Sequence, residues 1–502
     1  MKTLRFRIWI IITILAILVL TLLPSVNGQN TTINIGSRLE LFVDNYLIDR
    51  LSGGTELMLH HPAPQEIVIT HDAPWEGSGS GYHTIFRDTD KFRMYYKAEQ
   101  YTMTEGKLNE PHELFIAYAE SEDGILWKKP ELGLVEFEGS MKNNIVLKGS
   151  GSHGFTLFKD TNPSCTPDAV YKALGMGEKG GLYAFKSSDG IHWSSMLDRP
   201  VITKGAFDSQ NLAFWDSLRG EYRAYVRDFR ENRRDIRTAT SKDFINWSDP
   251  VWLAYPDAPN EQLYTNQIKP YYRAPHIFIG FPSRYVERIW DDQIKSLPEF
   301  EHRKLRASAS KRYGSAVTDA LFMTSRDGLT FKRWGEAFIR PGLRYKDNWV
   351  YGDNYVAYHL IETKSNVPGA PNELSMYATE SYWTGNSSVL RRFTLRIDGF
   401  VSAHATLKGG ELLTKPVIFD GNTLVINFST SAAGSISIEI QDETGEPIEG
   451  FTLNDSFEIF GDDLEREVEW KSGKSVKDLS GKPVRLRFVM KDADLFSIRF
   501  KK

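Results

Sequence analysis

Hydrophobic and polar positions alternate with period two along most of the chain, and the alternation comes in short paired runs. "HTIFRDTDKFRMYYKAE", "NLAFWDSLRGEYRAYVRDF" and "IKPYYRAPHIFIGFPSRY" each hold two such runs joined by a turn, at Asp88-Thr89-Asp90 and at Ser217 to Gly220 in the first two. Period two places alternate side chains on opposite faces of a strand, so these stretches predict β-hairpins. A third run after each hairpin ends in one phrase: "YAESEDGILW", "FKSSDGIHW", "TATSKDFINW", "FMTSRDGLTF" and, degraded, "MYATESYWTG". Its serine falls at 121, 187, 241 and 325, with the degraded copy near Glu380. Repeats at this spacing mark an array of similar units.

In each phrase the Asp accepts backbone hydrogen bonds, the Gly supplies a left-handed conformation, and the aromatic packs between units. The phrase is therefore expected to turn the chain between the third and fourth strands of a four-stranded antiparallel blade. Five phrases predict an all-β fold, a five-bladed β-propeller with blades between about residues 78 and 400. "RLELFVDNYLIDR" is expected to supply the stray N-terminal strand that closes the ring, with Asp44 structural. The long gap before Ser325 holds a charged, partly helical insertion overhanging the site. From residue 403 the alternation continues without the phrase, which predicts a C-terminal β-sandwich over 403–502. The propeller domain is then 29–402.

Composition sharpens this picture in a few places. Among 502 residues, 13% are aromatic, which suits β structure and a large core. The net charge of −4, with no basic run, points away from nucleic acid. Lys2, Arg5 and Arg7 precede an apolar run from Ile8 to Leu23, with Val26 and Gly28 flanking a cleavage point. That reads as a signal peptide over 1–28 and a secreted or periplasmic protein. The run falls short of the ~20 residues that span a bilayer, so no stable membrane insertion is expected after cleavage. The lone Cys165 allows no internal disulfide, and no activating His adjoins it.

The stretches "LFVDNYLID", "HDAPWEGSGSGYHTIF", "FDSQNLAFWD", "YTNQIKPYYRAPHIFIGFPSRYVER" and "RRFTLRIDGFVS" resemble the five-bladed propeller glycoside hydrolases of families 32, 43, 68 and 117. The resemblance is closest to an exported, family-32-like bacterial group. It implies a glycosidase acting on oligosaccharides from a polysaccharide. It does not assign the catalytic pair. Blade one begins "GSGYHT", without the family's carboxylate, and blade two lacks Arg-Asp-Pro.

Candidate chemistry follows from aligning the starts of the innermost strands, which a propeller gathers at one end of its channel. That ring holds Tyr82, His83, His153, Asp208, Gln210, Asn211, Glu261, Asn266, Gln267, Asp353 and Asn354. Glycoside hydrolysis needs two carboxyls about one bond. Glu261 is expected as general acid, Asp208 or Asp353 as base or nucleophile, and His83 as a further acid/base candidate. His153, Asn211, Gln267, Arg227, Arg284 and Asn354 are candidate substrate-binding residues. Lys97 and Glu99 also fall at a second-strand end facing the funnel. The arginines, including Arg230, Arg233 and Arg234 in "RDFRENRRDIR", suit uronate or sulfated sugars. Two alternatives stay open: a lyase or dehydratase acting on uronate-containing oligosaccharides, or a non-catalytic glycan-binding propeller. No metal-ligand spacing occurs and no cofactor is expected; a structural Ca²⁺ is not indicated by the residues.

Overall fold

The computed structural model describes residues 32–502. The expected signal segment lies outside them. The chain is almost entirely β, and its order is set by five sheets of four strands. Sheet I comprises Gly81–Asp88, Lys91–Ala98, Phe115–Ser121 and Ile145–Lys148; sheet II, His153–Lys159, Tyr171–Met176, Leu182–Ser187 and Ser194–Ser195. Sheet III comprises Leu212–Asp216, Glu221–Arg230, Arg233–Ser241 and Val251–Trp252; sheet IV, Lys269–Tyr271, Ala274–Gly280, Met323–Ser325 and Lys332–Arg333. A three-stranded sheet, Gln262–Leu263, Ser283–Glu287 and Ala316–Ala320, extends sheet IV. Sheet V holds Ile361–Thr363, Glu373–Glu380, Val389–Leu395 and, from far upstream, Ala63–Thr70.

Turn chemistry punctuates four sheets identically. In sheet I, Asp123 Oδ1 accepts from the backbone N–H groups of Ile125 and Leu126, the Gly124 N–H donates to Ser121 Oγ, and Trp127 Nε1 donates to the Gly124 carbonyl. The pattern recurs at Ser187–Asp189 and at Ser241–Asp243. At Ser325–Asp327 the Ser and Asp bonds recur. Phe244 takes the glycine position in sheet III with φ +67°, a strained choice that its full burial against Phe158 and Tyr222 compensates.

Three expectations are corrected by the strand order. "MYATESYWTG" ends the second strand of sheet V, not the third; the equivalent turn after its third strand is Arg396 to Phe400, with Asp398 left-handed at φ +63°. The upstream strand that joins the last sheet is Ala63–Thr70, which pairs with Val389–Leu395, and not "RLELFVDNYLIDR". That earlier segment joins the C-terminal strands: Ile33–Gly36 pairs with Val417–Phe419, Glu40–Leu41 with Val484–Lys501, Ile48–Ser52 with Gly410–Thr414, and Glu56–Leu59 with Val401–Ala405. The 402/403 boundary therefore does not separate N-terminal from C-terminal sequence, because residues 33–59 and 401–501 share one ten-stranded sheet. Its apolar core runs from Phe42 to Phe488 and Phe500. Asp44 is structural, in an ion pair with Arg326 at 2.8 Å.

The inner strands of the sheets meet through polar side chains. Gln210, before sheet III, donates Nε2 to the carbonyls of Tyr82 and His83 in sheet I at 3.1 and 3.3 Å. Gln267, before sheet IV, donates to Gln210 Oε1 at 2.7 Å and to the Val356 carbonyl before sheet V at 2.6 Å. Thr84 bridges Tyr358 in parallel. A Cβ on Gly154 of sheet II would meet the Ser209 carbonyl at 2.4 Å, so only glycine fits there. Buried glutamines can satisfy carbonyls that converge from several directions, where an apolar plug would strand them.

Candidate active site

Beside these glutamines lies a cluster of aromatic rings, the tyrosine cup, in which each central ring is at most 8% exposed. Tyr82, Tyr264, Tyr285, Tyr351, Tyr355, Tyr382 and Trp383 pack as one cluster, with Tyr101 and Tyr313 against it. The rings stand 5.3–6.2 Å apart at Tyr264–Tyr355, Tyr351–Tyr382 and Tyr82–Tyr355, and Tyr351 donates its hydroxyl to Tyr264 at 2.7 Å. Two buried donors of the cup, Tyr355 Oη and Trp383 Nε1, have no hydrogen-bond partner among the described residues. Left-handed residues lie at the cup and the axis beneath it: Tyr82, Gln267, Asn354, Ser381 and Trp383 have φ between +47° and +61°, five of sixteen such non-glycine residues among those described. Each costs of order 1 kcal/mol, and such strain gathers where side-chain direction matters more than local comfort.

Charged groups line the cup on strand-phase positions. In Lys91–Ala98, Tyr96 points into the sheet and Lys97, opposite Gly81, points to the cup. Lys97 Nζ lies 5.2–5.5 Å from the ring centres of Tyr82, Tyr101 and Tyr382 and donates to the Tyr382 hydroxyl at 3.1 Å. It pairs with Glu99 Oε2 at 2.7 Å, and the Tyr101 hydroxyl donates to the same oxygen at 2.5 Å. His153 enters from sheet II with Nε2 3.7 Å from Asp208 Oδ1. Arg227 Nη2 stands 3.9 Å from Asp208 Oδ2, and its guanidinium lies 5.2 Å from the Tyr264 ring centre. Asp208 is the open member, its side chain 65% exposed. Burial holds the His153 imidazole below its usual range; Lys97 adds to this and Asp208 and Glu99 oppose it. His153 is therefore neutral near pH 7 and feels both carboxylates.

Of the residues expected from sequence, Asp208, His153 and Arg227 come together here. The others serve elsewhere. His83 faces into the sheet, where its Nε2 meets His71 Nε2 at 3.0 Å and its ring stacks on Tyr96; burial and His71 hold it well below the imidazole range. Asn211 donates to the carbonyls of Phe207 and Ser209 and accepts from the Arg227 N–H, which braces the loop presenting Asp208. Gln267 ties the axis, and Asn354 donates to the Thr318 carbonyl. Asp353 is 2% exposed, and its Oδ1 accepts the Tyr382 N–H at 3.0 Å. Burial pushes its carboxyl well above the usual range, which suits an anchor for the Tyr382–Trp383 loop and not a base facing substrate.

Glu261 and Arg284 are separated from the cup by the extension of sheet IV. In Ser283–Glu287, Tyr285 and Glu287 face the cup and pair across to Thr318 and Ala316. The intervening Arg284, opposite Asp319, faces a different cavity of about 820 Å³. There Arg284 is held by Asp319 at 2.6 Å and Glu261 at 2.9 Å, and Arg333 takes the other oxygen of Glu261 at 2.5 Å. Both lone-pair faces of Glu261 are thus spent on cations. Glu261 precedes the strand Gln262–Leu263 of the extension, and Asp353 lies in the turn before sheet V, so the onset of an apolar run does not report which way either side chain points. Glu99 was reachable from sequence, as the polar end of "YYKAEQ".

The insertion before Ser325 folds into three short helices, Asp292–Lys295, Phe300–Ala309 and Lys311–Ser315. Tyr313 stands 4.8 Å from Trp383, so the insertion does reach the cup. It meets the hairpin of Thr102–Thr104 and Lys107–Asn109 through a Gly106 N–H bond to Ser308 Oγ at 2.8 Å. Among the described residues, no group of three or more His, Cys, Asp or Glu is placed to hold a metal ion, and no helix is long and apolar enough to cross a membrane.

No protein-family model matches the chain. No curated protein matches it either. Solved structures similar to it include a glycoside hydrolase at 14% identity, covering 67% of this chain and 92% of that one, with a TM-score of 0.40. A second, from the GH130 family of mannoside phosphorylases and glycoside hydrolases that target β-1,2 mannosidic linkages in Candida mannan, shares 12% identity over 70% and 96% with a TM-score of 0.35. A third, a GH32 β-fructofuranosidase of Bombyx mori, shares 10% identity over 89% and 94% with a TM-score of 0.36.

Proposed function

We propose that the chain is an exported glycoside hydrolase that binds the end of an oligosaccharide in the tyrosine cup. In this reading the five sheets are the blades of a β-propeller, and the ten-stranded sheet formed by residues 33–59 and 401–501 is an accessory β-sandwich. Tyrosine and tryptophan rings offer sugar faces flat apolar contact, and their free hydroxyl and indole donors offer hydrogen bonds to ring hydroxyls. One arrangement carries the reading: Asp208 stands 3.7 Å from His153 Nε2 and 3.9 Å from Arg227 Nη2, which lies on the Tyr264 ring, while Glu99 joins the same aromatic cluster through Lys97 and the Tyr101 hydroxyl. Two carboxyls facing one small volume are what glycosidic cleavage requires.

Roles follow from surroundings. Glu99 receives the Lys97 ammonium and the Tyr101 hydroxyl on one oxygen, while Oε1 takes no hydrogen bond among the described residues. That free oxygen suits a nucleophile or a base for water. Asp208, open until a sugar covers it, suits the proton donor, because covering a carboxyl favours its neutral form. His153 and Arg227 position Asp208 and bind substrate hydroxyls.

The test is a mass-spectrometric screen of the purified protein against neutral and acidic oligosaccharides, with Glu99→Gln and Asp208→Asn beside it. Hydrolysis should release a sugar of unaltered mass plus one water, and each variant should slow it by at least about a hundredfold. Release of a sugar lighter by one water would instead indicate elimination. Turnover that survives both substitutions would remove the cup from the reaction.

A further inference from the structure

Three guanidiniums against the cup form no ion pair among the described residues: Arg306, buried behind Trp383, and Arg234 and Arg312, which stand on its Tyr285–Tyr351 wall. Arg234 lies 4.4 Å from the Tyr285 ring centre and 5.1 Å from that of Tyr264. Its Nη1 donates to Gln262 Oε1 at 2.6 Å, and its Nε is buried without a partner. Arg312, on the Lys311–Ser315 helix, lies 4.6 Å from the Tyr313 ring centre and 5.8 Å from that of Tyr351; its Nη2 reaches the Tyr313 hydroxyl at 3.4 Å, and its Nη1 is buried without a partner. The two arginines sit on adjoining rings of one wall, Arg234 on Tyr285 and Arg312 on Tyr351, whose ring centres lie 5.6 Å apart. Neighbouring arginines behave differently. Arg233 pairs with Glu231 at 2.9 Å and Arg230 with Asp235 at 3.9 Å inside their hairpin, and Arg227 stands by Asp208. Glu287, on the same strand face, accepts the Tyr285 hydroxyl at 3.1 Å and forms no ion pair with either guanidinium.

Two like charges on one aromatic wall, each with an unused buried N–H, cost energy in the free protein. The cost is recovered when an oxyanion accepts from both, and the planar fork of arginine matches sulfate and carboxylate geometry. We propose that Arg234 and Arg312 form an oxyanion subsite at the Tyr285 wall of the cup, selecting oligosaccharides that carry a sulfate or carboxylate group. This rests on the reading of the cup as the sugar site, and it adds that the sugar is anionic.

Isothermal titration of the whole purified protein with sodium sulfate and with sodium glucuronate, at constant ionic strength set by sodium chloride, tests the subsite. Binding of at least one anion is expected, weakened about tenfold by Arg234→Gln or Arg312→Gln and abolished in the double variant. Arg233→Gln should bind as wild type, and Arg234→Lys, which keeps charge but not the fork, should fall between. Thermal unfolding of each variant confirms that it is folded. Sulfate alone binding points to sulfated sugars, glucuronate alone to uronates, and both to a general oxyanion subsite; each supports the proposal. It is overturned if wild type binds neither anion, or if the double variant binds as well as wild type. Anion binding retained in Glu99→Gln, with no oligosaccharide cleaved by wild type, would keep the subsite and sink the hydrolase. Cleavage of neutral sugars without anion binding would do the reverse.

Discussion

Replacing Gln267 with Met tests whether the inner strands are tied through one axis. Met matches Gln in length and volume but has no amide, so packing is kept while two bonds vanish. The bonds are those from Nε2 to Gln210 Oε1 at 2.7 Å and to the Val356 carbonyl at 2.6 Å, in a residue only 2% exposed. A buried acceptor that loses its donor costs about 1–3 kcal/mol, so the pair costs about 2–6 kcal/mol. Gln267 Oε1 is itself buried without a partner, and removing it returns about 1 kcal/mol. The net loss is about 3 kcal/mol. If the five sheets melt as one unit of about 340 residues, the unfolding entropy of ~2.1 cal/mol/K per residue gives ~0.7 kcal/mol/K, and the midpoint falls by ~4 °C. Differential scanning calorimetry reads this directly. Gln267→Glu, which sets a carboxylate against both acceptors, should fall further. A Met variant that melts within about 1 °C of wild type would refute the claim that these glutamines bind the sheets together.

Three further substitutions separate scaffold from chemistry, each measured on whichever oligosaccharide the screen identifies. Glu261→Gln should leave turnover intact but lower the denaturant midpoint by roughly 2 kcal/mol of stability, because the Arg333 side chain, 1% exposed, loses its charge partner. Asp353→Asn should also retain turnover. Its carboxyl is held above the unfolded value of 3.8, so the wild-type contribution is full below that pH and is lost as pH rises towards the folded value. Urea unfolding at pH 5 and pH 8 should therefore show the Asn variant gaining on wild type at the higher pH. Lys97→Met removes the cation beside Glu99 and the donor to Tyr382; kcat should drop by about a hundredfold, and because both members of the pair are buried, stability should also fall by about 3–5 kcal/mol, so kcat is read well below the variant's lowered melting temperature.

What could be read in advance divides along a physical line. The four Ser-x-Asp turns were legible because a short side chain folding back on its own backbone needs only local sequence. Strand phase was not legible wherever the chain enters a sheet through a left-handed residue. Register shifts lie between Gly81 and Thr84 and between His153 and Thr156, so counting by twos across them inverts the faces. His83 was assigned to the funnel for that reason, and Tyr82, its neighbour, is the residue that arrives there. Glu261 failed differently. Its strand Gln262–Leu263 belongs to an extension that bends off sheet IV, and no local pattern reports which side of a bent sheet is the outer one. The ten-stranded sheet was half visible, since pairing between residues 33–59 and 401–501 is a long-range choice that period two leaves open.

The division of labour among the charged residues follows from the same geometry. A carboxylate with two cations on it, as Glu261 has in Arg284 and Arg333, is electrostatically satisfied and gains nothing by meeting a substrate. Glu99 keeps one oxygen free, Asp208 keeps most of its surface in water, and Arg234 and Arg312 keep buried N–H groups unused. These incompletely satisfied groups all face the cup, along with the unpartnered Tyr355 hydroxyl and Trp383 indole. Buried polar atoms without partners also occur elsewhere among the described residues, at Trp334 Nε1, Tyr358 Oη and Tyr255 Oη for example. What sets the cup apart is the mixture: open or half-free carboxylates, unpaired guanidiniums and unused aromatic donors around one cluster of rings, which is what a site for a polar ligand offers. A sugar with an anionic substituent would supply acceptors for the arginines and the indole, hydroxyls for Glu99, and cover for Asp208.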